Sequence, residues 1–233
     1  MSAVEVRSEL GFSDRVLELL ERVDYRRADT ADEREAIFRL RHDAYVREGA
    51  VTSNVARRFT DDYDDWDNAY TFGLYVDGRL ASSFRMHVST PEHPDIPAAH
   101  VFPDLLRGDI EAGRTIIDPT RFVADATLTR VYPELPYATV RLGYMAAEFF
   151  RADSVLATVR AEHQAFYRRI FGHRLVCPPR AYPTLSKPIS LMTLHYPPAR
   201  LQIMARYPFF RSTVFERRML FERATARRSV VAA

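Results

Sequence analysis

Cysteine is nearly missing from this 233-residue chain, where Cys177 stands alone. One cysteine cannot close an internal disulfide and offers no Cys cluster for zinc, so no metal is expected and the setting reads as a reducing cytoplasm. Pro178 and Pro179 follow it at an expected strand end, which makes the thiol structural. Lysine is as scarce: Lys187 is the single one among 33 basic residues. Set against 31 acidic residues they leave a net charge of only +2, and with no recognition motif present this argues against a nucleic-acid partner. Long apolar runs are missing too. Nothing approaches the ~18 to 20 residues of a membrane span, and Met1 to Phe12, which carries Glu5 and Glu9, lacks the basic start and apolar run of a secretory leader.

What is present suits a globular enzyme or binding module. Hydrophobic residues make up 47% and charged residues 27%, enough apolar material for a core in one expected domain. Arginines thicken late in the chain, through Arg168, Arg169, Arg174, Arg180, Arg206 and Arg211. They read either as one basic face for an acidic partner or as plain solvated surface.

Periodicity places the elements. Val16, Leu17, Leu19, Leu20 and Val23 form a helical stripe after Ser13. A short extended piece at Tyr25 to Ala28 precedes a capping box, Thr30 with Glu33, and a helix carrying Ile37, Phe38, Arg41 and Tyr45 as far as Gly49. Phe59 to Asn68 is acidic, aromatic and aperiodic, hence a loop. Tyr70 to Val76 and Arg79 to Val88 flank Asp77-Gly78, the signature of a hairpin. Pro91, Pro94 and Pro97 mark a connector. Thr115 to Val123 is β-rich but carries Pro119, which predicts a bulge or interrupted pairing. After a turn over Tyr132 to Pro136, the expected elements are a helix at Tyr137 to Arg151, a buried strand at Ser154 to Val159, a helix at Gln164 to Phe171, and strands at Arg174 to Cys177 and Ile189 to Tyr196. A helical extension over about 197–233 follows a core of about 25–195. Interleaved strands and helices give an α/β or α+β class with a mixed sheet.

Two patterns carry chemistry. One is Phe166-Tyr167…Phe171-Gly172-His173 after a strand. The other runs Arg41…Tyr45, Asp61-Asp62-Tyr63-Asp64, Gly78-Arg79…Arg85, then Asp118-Pro119-Thr120-Arg121-Phe122. In type, order and spacing the second resembles the acyl-homoserine-lactone synthases and their relatives, the long-chain N-acyl amino acid synthases; the first is similar to the helix-to-strand element of GNAT N-acyltransferases. The resemblance covers about residues 25–190. The loop after Tyr45 reads Glu48-Gly49-Ala50-Val51, without the tryptophan that helps lactone synthases enclose S-adenosylmethionine. Thr129 to Pro133 stands where coenzyme-A-dependent relatives have a glycine-rich pyrophosphate loop. Both departures favour the N-acyl amino acid synthase branch and an acyl carrier protein as donor.

The resemblance implies a GNAT-like fold, with a mostly antiparallel twisted sheet flanked by helices, and transfer of a long fatty acyl group to an amino acid's amine. It assigns catalysis to Asp118, Arg121 and Tyr167. An amino acid arrives as an ammonium and must lose a proton before attack. Asp118 is the candidate base, or else caps or pairs with Arg121. Tyr167 would protonate the leaving thiolate, or simply pack. Backbone N–H groups around Arg121 to Val123 would hold the oxyanion. Arg41, Tyr45, Asp61, Asp64, Arg85 and Phe122 would shape the substrate site, the four charged ones as a network that orients the acceptor or as structural ion pairs. Phe149, Phe150, Leu156, Met192 and Leu194 are candidate lining for the acyl tail. Arg130, Arg168, Arg169, Arg174 and Lys187 are the expected dock for the acidic carrier, whose acyl-phosphopantetheine replaces any bound cofactor. The lipid product suggests peripheral membrane contact. The rival readings are a lactone synthase using S-adenosylmethionine and a non-catalytic module sensing acyl carriers or amino acids.

Overall fold

The computed structural model describes residues 11–182 and 185–223. The expectation that Met1 to Phe12 carries no secretory leader therefore falls mostly outside the described residues, as does the end of the C-terminal extension at 224–233.

Strands β1 (Val23–Arg27), β2 (Ala69–Val76), β3 (Arg79–Ser89), β4 (Ile116–Ala124), β5 (Ser154–Val159), β6 (Arg174–Leu175) and β7 (Ser190–His195) form one sheet in the order β1-β2-β3-β4-β5-β7-β6. Every pairing is antiparallel except β4 with β5. The β2–β3 reversal sits on Asp77 and Gly78, both at positive φ, the geometry an Asp-Gly hairpin turn requires.

Nine helices are seen among the described residues: α1 (Phe12–Leu20), α2 (Ala31–Arg47), α3 (Pro97–Val101), α4 (Pro103–Glu111), α5 (Ala126–Val131), α6 (Leu135–Phe150), α7 (Gln164–Phe171), α8 (Tyr196–Arg206) and α9 (Val214–Phe221). The expected capping box opens α2: Thr30 accepts from the Glu33 N–H while Glu33 accepts from the Thr30 N–H. α3 starts at Pro97, the last residue of the expected proline connector, and α4 follows in a stretch to which the sequence assigns no element; each has a proline in its first turn, where the missing N–H is no loss. Asp125 caps α5 through the N–H groups of Thr127 and Leu128. The strand expected at Arg174 to Cys177 is shorter, ending at Leu175.

Side-chain alternation sends neighbouring residues of β3 to opposite faces. Phe84 lies close to Gly143 of α6, within a core that includes Phe72, Met86, Ile117, Leu142 and Met145. Arg85 points the other way, toward α2 and the Asp62–Asp65 turn. A second apolar cluster, with Ile96, Phe102, Leu106, Ile116, Leu156 and Leu191, packs α3 and α4 against the sheet. The C-terminal helices are fastened to α6 by buried Arg141, which donates to the carbonyls of Phe209 and Arg211 and to Glu216.

Candidate active site

Pro119 marks the place where the sheet opens. On one side, β4 pairs with β3 as Arg85↔Thr120 and Ser83↔Val123, which leaves Arg121 and Phe122 facing Phe84 alone. Arg121 takes a left-handed backbone, φ 53, a conformation that costs a non-glycine residue free energy and signals a locked bulge. On the other side, β4 and β5 are paired only at Ile116↔Ser154 and Ile117↔Val155, while β5 continues along β7 to Val159. The two central strands therefore part after Ile117. A cavity of about 840 Å³ occupies the opening, walled by Pro119 to Ala124 of β4, Ala157 to Val159 of β5, and Phe166 and Tyr167 of α7. That volume is ordinary for a small-molecule site.

Beneath the bulge lies the charged network. Arg41 donates to Asp64 Oδ1 at 2.8 Å. Arg85 reaches Asp61 Oδ1 at 2.6 Å and Asp64 Oδ1 at 2.8 Å, and its Nε donates to Thr120 Oγ1 at 3.0 Å. Arg121 donates to Asp61 Oδ2 through both Nε and Nη2, and its guanidinium lies over Phe59, with Tyr45 and Tyr182 nearby. Burial alone would raise both carboxyls, but the hydrogen bond from Arg85 and the charge of Arg121 hold Asp61 far below the usual range, and the charges of Arg41 and Arg85 lower Asp64. Arg41 is pushed down to about 10 by burial, with Asp64 pulling it back and Arg85 repelling it. Such a network fixes geometry more than it adds stability, because desolvating the ions consumes most of their attraction.

Asp118 sits on the same sheet face, fully buried, outside the cavity walls. Its Oδ2 accepts the Ala98 N–H at 2.8 Å and so ties α3 to β4, while Oδ1 has no hydrogen bond. Burial raises its pKa to about 7, against the pull of the Ala98 N–H and the Arg85 charge. Across the ladder is His87, whose Nε2–H donates to the Tyr63 carbonyl at 2.8 Å. Burial and the Arg85 charge push it down to about 3, so it stays neutral. The structure joins Asp118 to α3 rather than to Arg121, whose carboxylate partner is Asp61.

Tyr45, Arg121, Phe122 and Tyr167 all face the cavity. Burial raises the Tyr167 hydroxyl, which keeps it protonated at neutral pH. The tail lining expected from sequence is corrected. Phe149 and Phe150 pack instead on Tyr70 and Phe221, Leu156 joins the cluster under α3 and α4, and neither Met192 nor Leu194 borders the cavity. Phe149 and Phe150 belong to α6 and Met192 and Leu194 to β7, whereas the space lies where β4 and β5 diverge. The docking set is split as well: Arg130 and Lys187 border the cavity, whereas Arg168, Arg169 and Arg174 line a separate groove. Sequence reasoning missed Glu48, Arg160 and His163 at the cavity, where Arg160 donates to Glu48 at 2.7 Å. They bear no periodic signal. Among the described residues, no group of three His, Cys, Asp or Glu side chains could hold a metal ion.

The bulged β4, its parting from β5, and the Arg41, Asp61, Asp64, Arg85 and Arg121 network coincide with a family model described as N-acyl amino acid synthase FeeM, which matches residues 36–195. The chain belongs to the FeeM family of N-acyl amino acid synthases. It is an N-acyltransferase of GNAT-like fold. No curated protein matches it in sequence. Among solved structures, FeeM, an N-acyl amino acid synthase from uncultured soil microbes, superposes with a TM-score of 0.66 at 19% identity, covering 81% of this chain and 98% of that one. The acyl-homoserine-lactone synthase LasI gives 0.58 at 14%, covering 78% and 94%. TofI, solved in a ternary complex with an inhibitor and MTA, gives 0.58 at 15%, covering 82% and 100%. At these identities the superpositions speak for the fold. Trp66, the only tryptophan, packs against Tyr63, His87 and His100, and no tryptophan stands in the loop after Tyr45.

Proposed function

We propose that the protein transfers a long-chain acyl group from an acyl carrier protein thioester to the α-amine of an amino acid. The observation that carries this reading is the opening between β4 and β5, where an apolar-walled cavity meets a strained bulge that releases backbone groups from the ladder. The acyl chain and pantetheine lie between the strands. Arg130 and Lys187, exposed at the cavity margin, receive the acidic carrier.

In the reaction the amine lone pair attacks the thioester carbonyl, forming the C–N bond. The N–H groups of Arg121 and Phe122, left out of the ladder, stabilise the oxyanion. Collapse breaks the C–S bond, and the thiolate takes a proton from the Tyr167 hydroxyl. Asp118, whose pKa burial raises to about 7, accepts the amine proton. It lies outside the cavity walls, so that proton reaches it by way of a water. Asp61 holds Arg121 and Arg85 in place, which fixes the bulge and leaves Arg121, which borders the cavity, to meet the acceptor's carboxylate.

The test is mass spectrometry of lipid extracts from cells overproducing the protein, beside cells producing Tyr167→Phe. An amide-linked acyl amino acid series that falls in the variant supports the reading. Release of methylthioadenosine with a lactone would move the chain to the other branch of its relatives.

A further inference from the structure

A second groove, of about 610 Å³, shares no residue with the catalytic cavity and gathers Arg168, Arg169, Arg174 and Arg206 around an apolar floor that includes Ile170, Leu194 and Ile203. No acidic side chain lines it. None of the four guanidiniums has a carboxylate partner among the described residues, in contrast to Arg22 with Asp77, Arg39 with Glu35, Arg114 with Asp109, Arg180 with Asp104 and Arg218 with Glu222. The negative end of α7 explains Arg168 and Arg169, which stand in its last turn. The end of α8 likewise accounts for Arg206, but no helix end accounts for Arg174 on β6, and the four approach one groove from three separate elements. Four like charges held together without a counter-charge repel one another, and an anion relieves that repulsion.

We infer that this groove docks the protein on an anionic phospholipid surface. The guanidiniums would take headgroup phosphates bidentately, and the apolar floor would receive adjoining glycerol and acyl carbons. Leu201, 74% exposed on α8 and three residues beyond the groove residue Pro198, adds apolar surface at the rim. A basic patch with adjoining exposed aliphatics is the pattern of proteins that lie on, rather than cross, a bilayer. An acidic protein partner fits less well, because it would need convex charge contacts and not a groove with an apolar floor. The inference rests on surface chemistry and stands independently of the acyl-transfer reading.

Co-sedimentation of the full chain with vesicles tests it, using phosphatidylcholine alone and phosphatidylcholine mixed with phosphatidylglycerol. Binding is expected only to the mixed vesicles and should fall with added salt. At about fivefold per arginine, Arg168→Gln with Arg174→Gln should lower the partition coefficient on the order of 25-fold, with thermal unfolding unchanged as the control for folding. Equal binding to both vesicle types, or none, would overturn the inference. So would an equal loss in Arg79→Gln on the far hairpin, or a double variant that keeps vesicle binding and instead loses acyl carrier protein.

Discussion

Replacing Asp118 with asparagine should slow the reaction while making the protein more stable above neutral pH. The carboxyl is fully buried, one oxygen bonded to the Ala98 N–H and the other to nothing. Burial raises its pKa from 3.8 to about 7. The folded state therefore keeps a proton that the unfolded chain gives up, and stability declines as pH rises from about 4 to about 7. A gap of about three pH units at 1.36 kcal/mol each amounts to a penalty of about 4 kcal/mol at pH 8. Asparagine does not titrate. It can still accept from Ala98, but its amide buries a donor without a partner, at about 1–3 kcal/mol. The variant is thus expected to be less stable than the parent at the acid end, near pH 4, to cross it below neutrality, and to exceed it by about 1–3 kcal/mol at pH 8. Urea unfolding at a series of pH values, with the slope m checked for constancy, measures the difference. If that difference stayed flat between pH 4.5 and pH 8.5, Asp118 would not carry a proton in the folded protein, and its role as base would go with it.

Other outcomes follow from the same geometry. Asp61→Ala leaves Arg85 and Arg121 buried without their shared carboxylate and should cost about 3–5 kcal/mol, whereas Asp62→Ala, at an exposed neighbour, should change stability by about 0.5 kcal/mol or less; denaturant midpoints compare them. Because Asp61 and Asp64 are held below the ordinary carboxylate range, the stability they contribute is complete above about pH 4 and should fall away as pH drops further, seen as acid unfolding that is milder in Asp64→Asn. Tyr167→Phe should lower kcat on the order of 100-fold with KM little changed, because the hydroxyl acts on the departing thiolate and not on ground-state binding. Ala157→Leu, in the wall supplied by β5, should shift preference toward shorter acyl chains, read as the ratio of kcat/KM between two chain lengths.

Local chemistry was legible in the sequence. The capping box at Thr30, the Asp77-Gly78 reversal and the disturbance at Pro119 each need only a few adjacent residues to specify their geometry, and each is found where expected. Arg41, Asp61, Asp64 and Arg85 converge as the family pattern implies, and Arg121, expected beside Asp118, joins them through Asp61 instead. The parting of β4 from β5 is a property of the whole sheet, so no local pattern could say that Ala157 to Val159 would face open space while Leu156 and Met192 would not. Short helices α3 and α4 went unread because proline breaks a helix interior yet starts one well. Proximity to Asp118 could not reveal its engagement with Ala98, since α3 itself was not expected.

The central claim is tested most directly by reconstitution from purified components: the protein, an acyl carrier protein loaded with a long-chain acyl group, and a mixture of amino acids, read by mass spectrometry. The account predicts an N-acyl amino acid and stoichiometric free carrier thiol. Contradiction would be an intact acyl carrier with every amino acid, while S-adenosylmethionine in their place yields an acyl lactone.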